Sequence, residues 1–172
     1  MLKSAKRLAV ALGVASLAAL VTGAPAHAAT KEICYQAHVQ NKGWLDWQCN
    51  GDWAGTRGQA LNLEALRVKT NYGEVCLRAH RARYGWDSQE QCAKPGKTIQ
   101  VGTTGMNTAI EALEYVSTGP EGGYVTGTAH VRDLGDVDDY GTANWRPGWG
   151  YFIRVGTTGR GLPIEALKFR WV

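Results

Sequence analysis

Apolar and polar residues alternate where the folded part of the chain begins. Over residues 33–39, Ile33, Tyr35, Ala37 and Val39 fall on one side of an extended segment and Cys34, Gln36 and His38 on the other. A turn, Asn41-Lys42-Gly43, follows and leads to an aromatic strand beginning at Trp44. The same pair of elements returns with the turn Arg83-Tyr84-Gly85 before Trp86. A third kind of strand, residues 98–101 and 151–155, runs into a Gly-Thr pair, and a fourth, such as residues 61–68, carries Glu-Ala-Leu. Gly58, Gly105 and Gly159 between these two suit a tight hairpin. No segment sustains a 3.6-residue period, and 22 glycines with few helix caps point to an all-β chain.

The last two elements recur at a fixed interval. Gly55-Thr56 precedes Glu64-Ala65-Leu66, Gly102-Thr103 precedes Glu111-Ala112-Leu113, and Gly156-Thr157 precedes Glu165-Ala166-Leu167, each time by nine residues. A histidine stands before each block, at His38, His80 and His130. The chain is one unit written three times, over about residues 30–73, 74–119 and 120–172. Four strands per unit predict a single pseudo-threefold domain of about twelve strands. Closure round the axis removes exposed edges, which a β-prism-like fold or a β-trefoil achieves.

The first 28 residues read as a secretory signal peptide. Lys3, Lys6 and Arg7 form a basic start, residues 8–21 are uncharged and apolar, and Ala26-His27-Ala28 is a cleavage site. The apolar run is short for a membrane span, so membrane insertion is not expected. Removing it takes three of 19 basic residues and none of 15 acidic ones, leaving 16 against 15. That near-neutral remainder gives no electrostatic case for nucleic acid. Export makes disulfides the expected state of Cys34, Cys49, Cys76 and Cys92. Cys34 and Cys76 each lie four residues before the repeat histidine, and Cys49 and Cys92 follow Trp44 and Trp86. Pairing within each unit gives Cys34–Cys49 and Cys76–Cys92. The cysteines lack the CxxC spacing of a zinc site, and no metal or other cofactor is expected.

The run His38-Val39-Gln40-Asn41-Lys42-Gly43-Trp44, then Asn50-Gly51-Asp52, Ala54-Gly55-Thr56-Arg57-Gly58-Gln59 and Leu63-Glu64-Ala65-Leu66 resembles the ChW repeat, the secreted clostridial hydrophobic repeat named for its Gly-Trp signature. The second unit matches at His80, Gly85-Trp86, Gly102-Thr103-Thr104-Gly105 and Ile110-Glu111-Ala112-Leu113. The third matches at His130-Val131-Arg132, Gly156-Thr157-Thr158-Gly159 and Ile164-Glu165-Ala166-Leu167, but has Leu134-Gly135-Asp136 in place of Gly-Trp and an insertion over residues 136–150. The resemblance implies secretion and surface or polysaccharide interaction, and it carries no catalytic residues.

Simple alternation puts Glu165, Leu167, Phe169 and Trp171 on one strand face and Ile164 and Ala166 on the other. A carboxylate on such an apolar face needs partners. Glu64, Glu111 and Glu165 are therefore read as structural groups tying the Gly-Thr turn to the strand, with a His–Glu pair in each unit a reasonable extension. Trp44 and Trp86, at equivalent positions, are read as core. The candidate ligand contacts are Tyr140, Asn144, Trp145, Arg146, Trp149 and Tyr151, which only the third unit carries in a turn-rich segment expected to be a surface loop. Flat aromatic faces beside amide and guanidinium groups suit sugar rings. Asp133, Asp136, Asp138 and Asp139 lack calcium-loop spacing and read as a solvated acidic loop. The sequence has no Gly-x-Ser-x-Gly, no His-Glu-x-x-His and no P-loop. The expectation is a secreted, non-catalytic, lectin-like module binding cell-wall or environmental polysaccharide. The alternative is an adhesion or assembly protein binding another surface protein; a glycoside hydrolase or secreted inhibitor ranks below both.

Overall fold

The structure is a computed structural model describing residues 30–172; the leader expected over residues 1–28 lies outside the described residues. Each unit contributes five strands rather than four, because the aromatic strand is split in two in the first two units and the insertion adds a strand to the third. The first unit holds β1 (Ile33–Val39), β2 (Gly43–Trp44), β3 (Gln48–Cys49), β4 (Ala54–Gly55) and β5 (Leu63–Thr70). The second holds β6 (Glu74–Arg81), β7 (Gly85–Trp86), β8 (Gln91–Ala93), β9 (Ile99–Gly102) and β10 (Ile110–Thr118). The third holds β11 (Val125–Val131), β12 (Gly135–Asp138), β13 (Tyr140–Arg146), β14 (Gly150–Gly156) and β15 (Ile164–Trp171). No α-helix occurs among the described residues; one 3-10 turn spans Pro120–Gly122. The chain is all-β.

The strands form three antiparallel sheets, each built on the first and last strand of one unit: β1 with β5, β6 with β10, and β11 with β15. The hairpin expected at Gly58, Gly105 and Gly159 does not form. The Gly-Thr strand instead crosses to another unit's sheet. β9 pairs with β5, β14 with β10, and β4 with β15. Every unit thus gives its Gly-Thr strand away and receives another unit's, the third sending β13 along with β14, and the exchange closes in a ring. Three sheets joined cyclically are compatible with the prism-like expectation.

This exchange accounts for the repeated signature. The glycine of each Gly-Thr pair lies opposite the alanine of another unit's Glu-Ala-Leu, as Gly55 to Ala166, Gly102 to Ala65 and Gly156 to Ala112. The following threonine N–H donates to the carbonyl of the glutamate at 3.0, 3.0 and 2.9 Å for Thr56, Thr103 and Thr157. A β-carbon on these glycines would stand 2.3–2.4 Å from that carbonyl oxygen, so the two backbones touch.

The expected strand facing is overturned at one residue per unit. A register shift lies beside each repeat histidine, leaving Glu64, Glu111 and Glu165 as the extra residue of a β-bulge. The bulge resets the alternation, so Ile164 and Leu167 both enter the core, as do Ile110 with Leu113 and Leu63 with Leu66. Core partners are complementary in size across each strand pair: Tyr35 faces Val68, Leu77 faces Tyr115, and Gly127 faces Phe169. The Tyr35 and Tyr115 rings meet Phe169 edge-on at 5.6 and 5.2 Å. Burial pushes the Tyr35 phenol up to about 12, so it stays neutral and donates to the Asp52 carbonyl at 2.6 Å. Cys34–Cys49 and Cys76–Cys92 are bonded as the repeat predicts, joining β1 to β3 and β6 to β8.

Candidate functional site

The repeat histidines sit on the outer faces of three different sheets and do not converge on the axis. In the first two units each makes the expected pair with its glutamate: His38 Nδ1 approaches Glu64 at 3.1 Å, and His80 Nδ1 approaches Glu111 at 3.1 Å. Both are close polar approaches rather than aligned hydrogen bonds. The third unit breaks the pattern. Asp136 occupies the register position of Trp44 and Trp86 and takes His130 at 2.6 Å, while Glu165 accepts from Arg132 Nε at 2.9 Å. The hydrogen bond with His130 first, and the Arg57 charge after it, hold the Asp136 carboxyl below its ordinary range. The glutamates do tie turn to strand, but through their backbone carbonyls and across units.

Trp44 and Trp86 are not core residues. Both are half-buried on outer sheet faces, edge-on to the repeat histidine at 5.2 and 5.1 Å. Arg67 stacks over Trp44 at 4.1 Å, and Arg154 lies over Trp86 at 4.9 Å. The third sheet lacks a Gly-Trp tryptophan of its own, yet Trp53, just before the exchanged strand β4, stands beside it under Arg57 and Lys168 at 4.6 and 4.8 Å. Strand exchange thus restores to the third unit an aromatic–cation pair that its own sequence has lost.

The insertion of the third unit is a β-hairpin, not an open loop: β13 pairs with β14 and extends the second sheet. It separates the six candidate ligand residues. Trp145 and Tyr151 are cross-strand neighbours, 58% and 61% exposed, with rings 5.1 Å apart. Tyr140 is exposed in register with Arg154. Trp149 folds back on the Cys76–Cys92 disulfide, Val116 and Phe152. Arg146 lies over its ring at 4.4 Å and donates to Glu90 at 2.7 Å. Asn144 donates to Glu114 at 2.9 Å.

Glu114 escapes a reading of the repeat alone. It occupies the place of Arg67 and Lys168 in the other units, and that reversal of charge is its only signal in the sequence. Fully buried, it binds Arg78 and Arg154 as well as Asn144, so one carboxylate joins β6, β10, β13 and β14. Burial pushes its carboxyl up, but the hydrogen bonds from the two arginines outweigh burial and leave it lowered.

The acidic segment is exposed at Asp133, Asp136 and Asp138, as expected, but it forms a strand rather than a loop. Asp136 and Asp138 lie in β12, Asp138 accepts from the Thr128 hydroxyl at 3.0 Å, and Asp139 accepts from Tyr115 and from the Gly127 N–H. Two groups with metal-like spacing, Glu32 with Cys34 and Cys49 and Glu74 with Cys76 and Cys92, have their sulfurs in disulfides and offer no thiolate. Such bonds fit an oxidising compartment. No helix among the described residues is long and apolar enough to cross a membrane.

No curated protein and no solved structure matches the chain. The family model described as Clostridial hydrophobic W, ChW, matches residues 38–71, from His38 through Gly43-Trp44 and Gly55-Thr56 to the end of the Glu-Ala-Leu strand. The chain therefore carries a ChW repeat, matched over residues 38–71 of its first unit.

Proposed function

We propose that the protein is a secreted, non-catalytic module that binds cell-wall or environmental polysaccharide through the β13–β14 hairpin. The observation that carries this reading is the cross-strand pair of Trp145 and Tyr151, more than half exposed at the free edge of a sheet. Large aromatic rings left in water contribute no packing, whereas stacking on sugar C–H faces gives them a partner. Glu114 and the Trp149–disulfide contact hold the base of the hairpin, which presents the pair on a rigid support. Asn144 and Arg146 belong to that support, so Tyr140 is the remaining candidate to flank the pair. Two disulfides and the leader-like start support export.

Retention on a panel of insoluble polysaccharides tests the reading. The wild type is expected to bind at least one, and Trp145→Ala or Tyr151→Ala to weaken it about tenfold, or about 1.4 kcal/mol, at the upper end of an aromatic ring contact. Retention by none of them, or retention unchanged in both variants, would sink it. Release of soluble sugar from the panel would overturn the non-catalytic part.

A further inference from the structure

The outer faces of the three sheets differ in what covers them. On the first, the Cys34–Cys49 disulfide and Trp47, with Lys69 over its ring at 4.5 Å, fill the area beside β1. On the second, the Cys76–Cys92 disulfide packs with Phe152, Val116 and Trp149. The third unit has Thr126 in the place of Cys34 and Cys76. Along β11, β12 pairs only with residues 128–131, and the chain then leaves for the second sheet. The uncovered face holds a cleft of about 580 Å³, inside the range of roughly 300–1,000 Å³ typical of small-ligand sites.

Register sets the cleft's side chains in two rows across the strands. Asp138, Thr128 and Lys168 stand in line on β12, β11 and β15. Trp53 continues that line, with the Lys168 ammonium 4.8 Å from its ring centre. Thr126 and Arg170 form the second row, two residues along and about 7 Å away. The charges are unevenly satisfied. The Asp139 carboxylate is engaged with Tyr115 and the Gly127 N–H, and Asp138 accepts from Thr128. Among the described residues neither Lys168 nor Arg170 forms an ion pair. Two cations and two hydroxyls therefore line the opening together with two carboxylates, of which Asp139 is taken up by Tyr115 and the Gly127 N–H and Asp138 stands at the far end.

We propose that this cleft binds a uronate unit of an acidic saccharide, with Arg170 and Lys168 holding the sugar carboxylate and Thr126, Thr128 and Asp138 taking its ring hydroxyls. A guanidinium receives a carboxylate in a two-pronged geometry. Asp138 accepts hydroxyl protons and repels a doubly charged phosphate more strongly than a singly charged carboxylate. A plain carboxylate would leave the threonine row unused. The near-neutral mature chain supplies no bulk attraction for anions, so the preference is local to these residues. The cleft lies on the third sheet and the Trp145–Tyr151 pair on the second, so the two sites stand or fall separately.

Calorimetric titration of the secreted protein with galacturonate and glucuronate oligomers tests the site. Carboxyl-reduced neutral versions of the same oligomers and inorganic phosphate are run beside them. Saturable binding of a uronate oligomer is expected. It should be at least tenfold weaker for the neutral form, for phosphate, and for Arg170→Ala, an exposed position whose replacement leaves the core intact. Lys97→Ala, an exposed cation elsewhere, should bind as the wild type does. Failure of both uronates to bind overturns the proposal. So does equal binding of acidic and neutral oligomers, tighter binding of phosphate, or an equal loss in Lys97→Ala.

Discussion

A β-carbon at Gly102 would lie 2.4 Å from the Glu64 carbonyl oxygen and 3.0 Å from the Ala65 α-carbon, on a residue whose φ is +75°. Gly105, three residues on, has the same φ but open space round it. The two positions separate backbone strain from collision. Gly105→Ala should cost about 1 kcal/mol, the left-handed penalty alone. Gly102→Ala must also push apart two paired strands and should cost about 3 kcal/mol or more. Urea midpoints at unchanged slope measure both, and equal losses would mean that the inter-unit contact yields easily. The histidine–glutamate pairs offer a second comparison. A double-mutant cycle on His38 and Glu64 should return a coupling of about 0.5 kcal/mol or more, since they approach at 3.1 Å with the carboxylate buried. The same cycle on His130 and Glu165 should return almost none, because Asp136 and Arg132 have taken their places as partners. Similar couplings in both units would show that the substitution of Asp136 for tryptophan had not rewired the site.

At the level of elements, the β13–β14 hairpin is tied to the second sheet through one buried carboxylate, beside the Trp149–disulfide and Arg146–Glu90 contacts. Glu114 has a lower pKa in the fold than its ordinary value of 4.5. Its contribution is therefore complete above that value and is lost as pH falls through the lower, folded one. Glu114→Gln should lower stability at pH 7 by about 2 kcal/mol or more, since Arg78 and Arg154 lose their shared partner. It should also flatten the fall in stability on acidification, and denaturant curves between pH 7 and 3 read both effects. An unchanged acid limb would assign the sensitivity to other carboxylates. The elements also show where sequence reasoning stops. Alternation over residues 33–39, the aromatic strands, the Gly-Thr and Glu-Ala-Leu blocks and both disulfides were legible because each depends on neighbours or on equivalence between units. The bulge at each glutamate was not, since the extra residue that flips the facing of those beyond it shows only against the register of the partner strand. The hairpin expected at Gly58, Gly105 and Gly159 failed for a related reason. Glycine permits a tight turn, but the next strand's partner is chosen by the fit of Gly102 against Ala65, which no local window contains. Of the six candidate residues, the sequence foresaw the exposure of Trp145 and Tyr151 but not their pairing in a sheet-extending hairpin, nor the ties of Asn144 to Glu114, Arg146 to Glu90 and Trp149 to the Cys76–Cys92 disulfide, because those partners lie in the second unit.

For the whole molecule, cyclic exchange changes what a repeat means. In a linear stack each unit contacts only its neighbours, and an end unit can be removed while the rest stays folded. Here β4 of the first unit completes the sheet of the third, so the ends of the chain are as interdependent as its middle. The core agrees, because Phe169 of the third unit fills the space between Tyr35 of the first and Tyr115 of the second. Deleting residues 120–172 would strip β14 from β10, leave β4 without a sheet and open the aromatic centre. The two-unit chain is therefore expected to keep both disulfide loops yet show no cooperative melting and no near-ultraviolet signal of packed tyrosine and tryptophan. The three-unit chain over residues 30–172 should melt in one transition, with calorimetric and van't Hoff enthalpies in agreement. Two separate transitions in the three-unit chain, or a sharp one in the two-unit chain, would mean that a unit can close its own core. In that event the exchanged strands would be ornaments on three independent folds. The backbone contact at each Gly-Thr glycine, where an added β-carbon would lie 2.3–2.4 Å from another unit's glutamate carbonyl oxygen, argues that they are not.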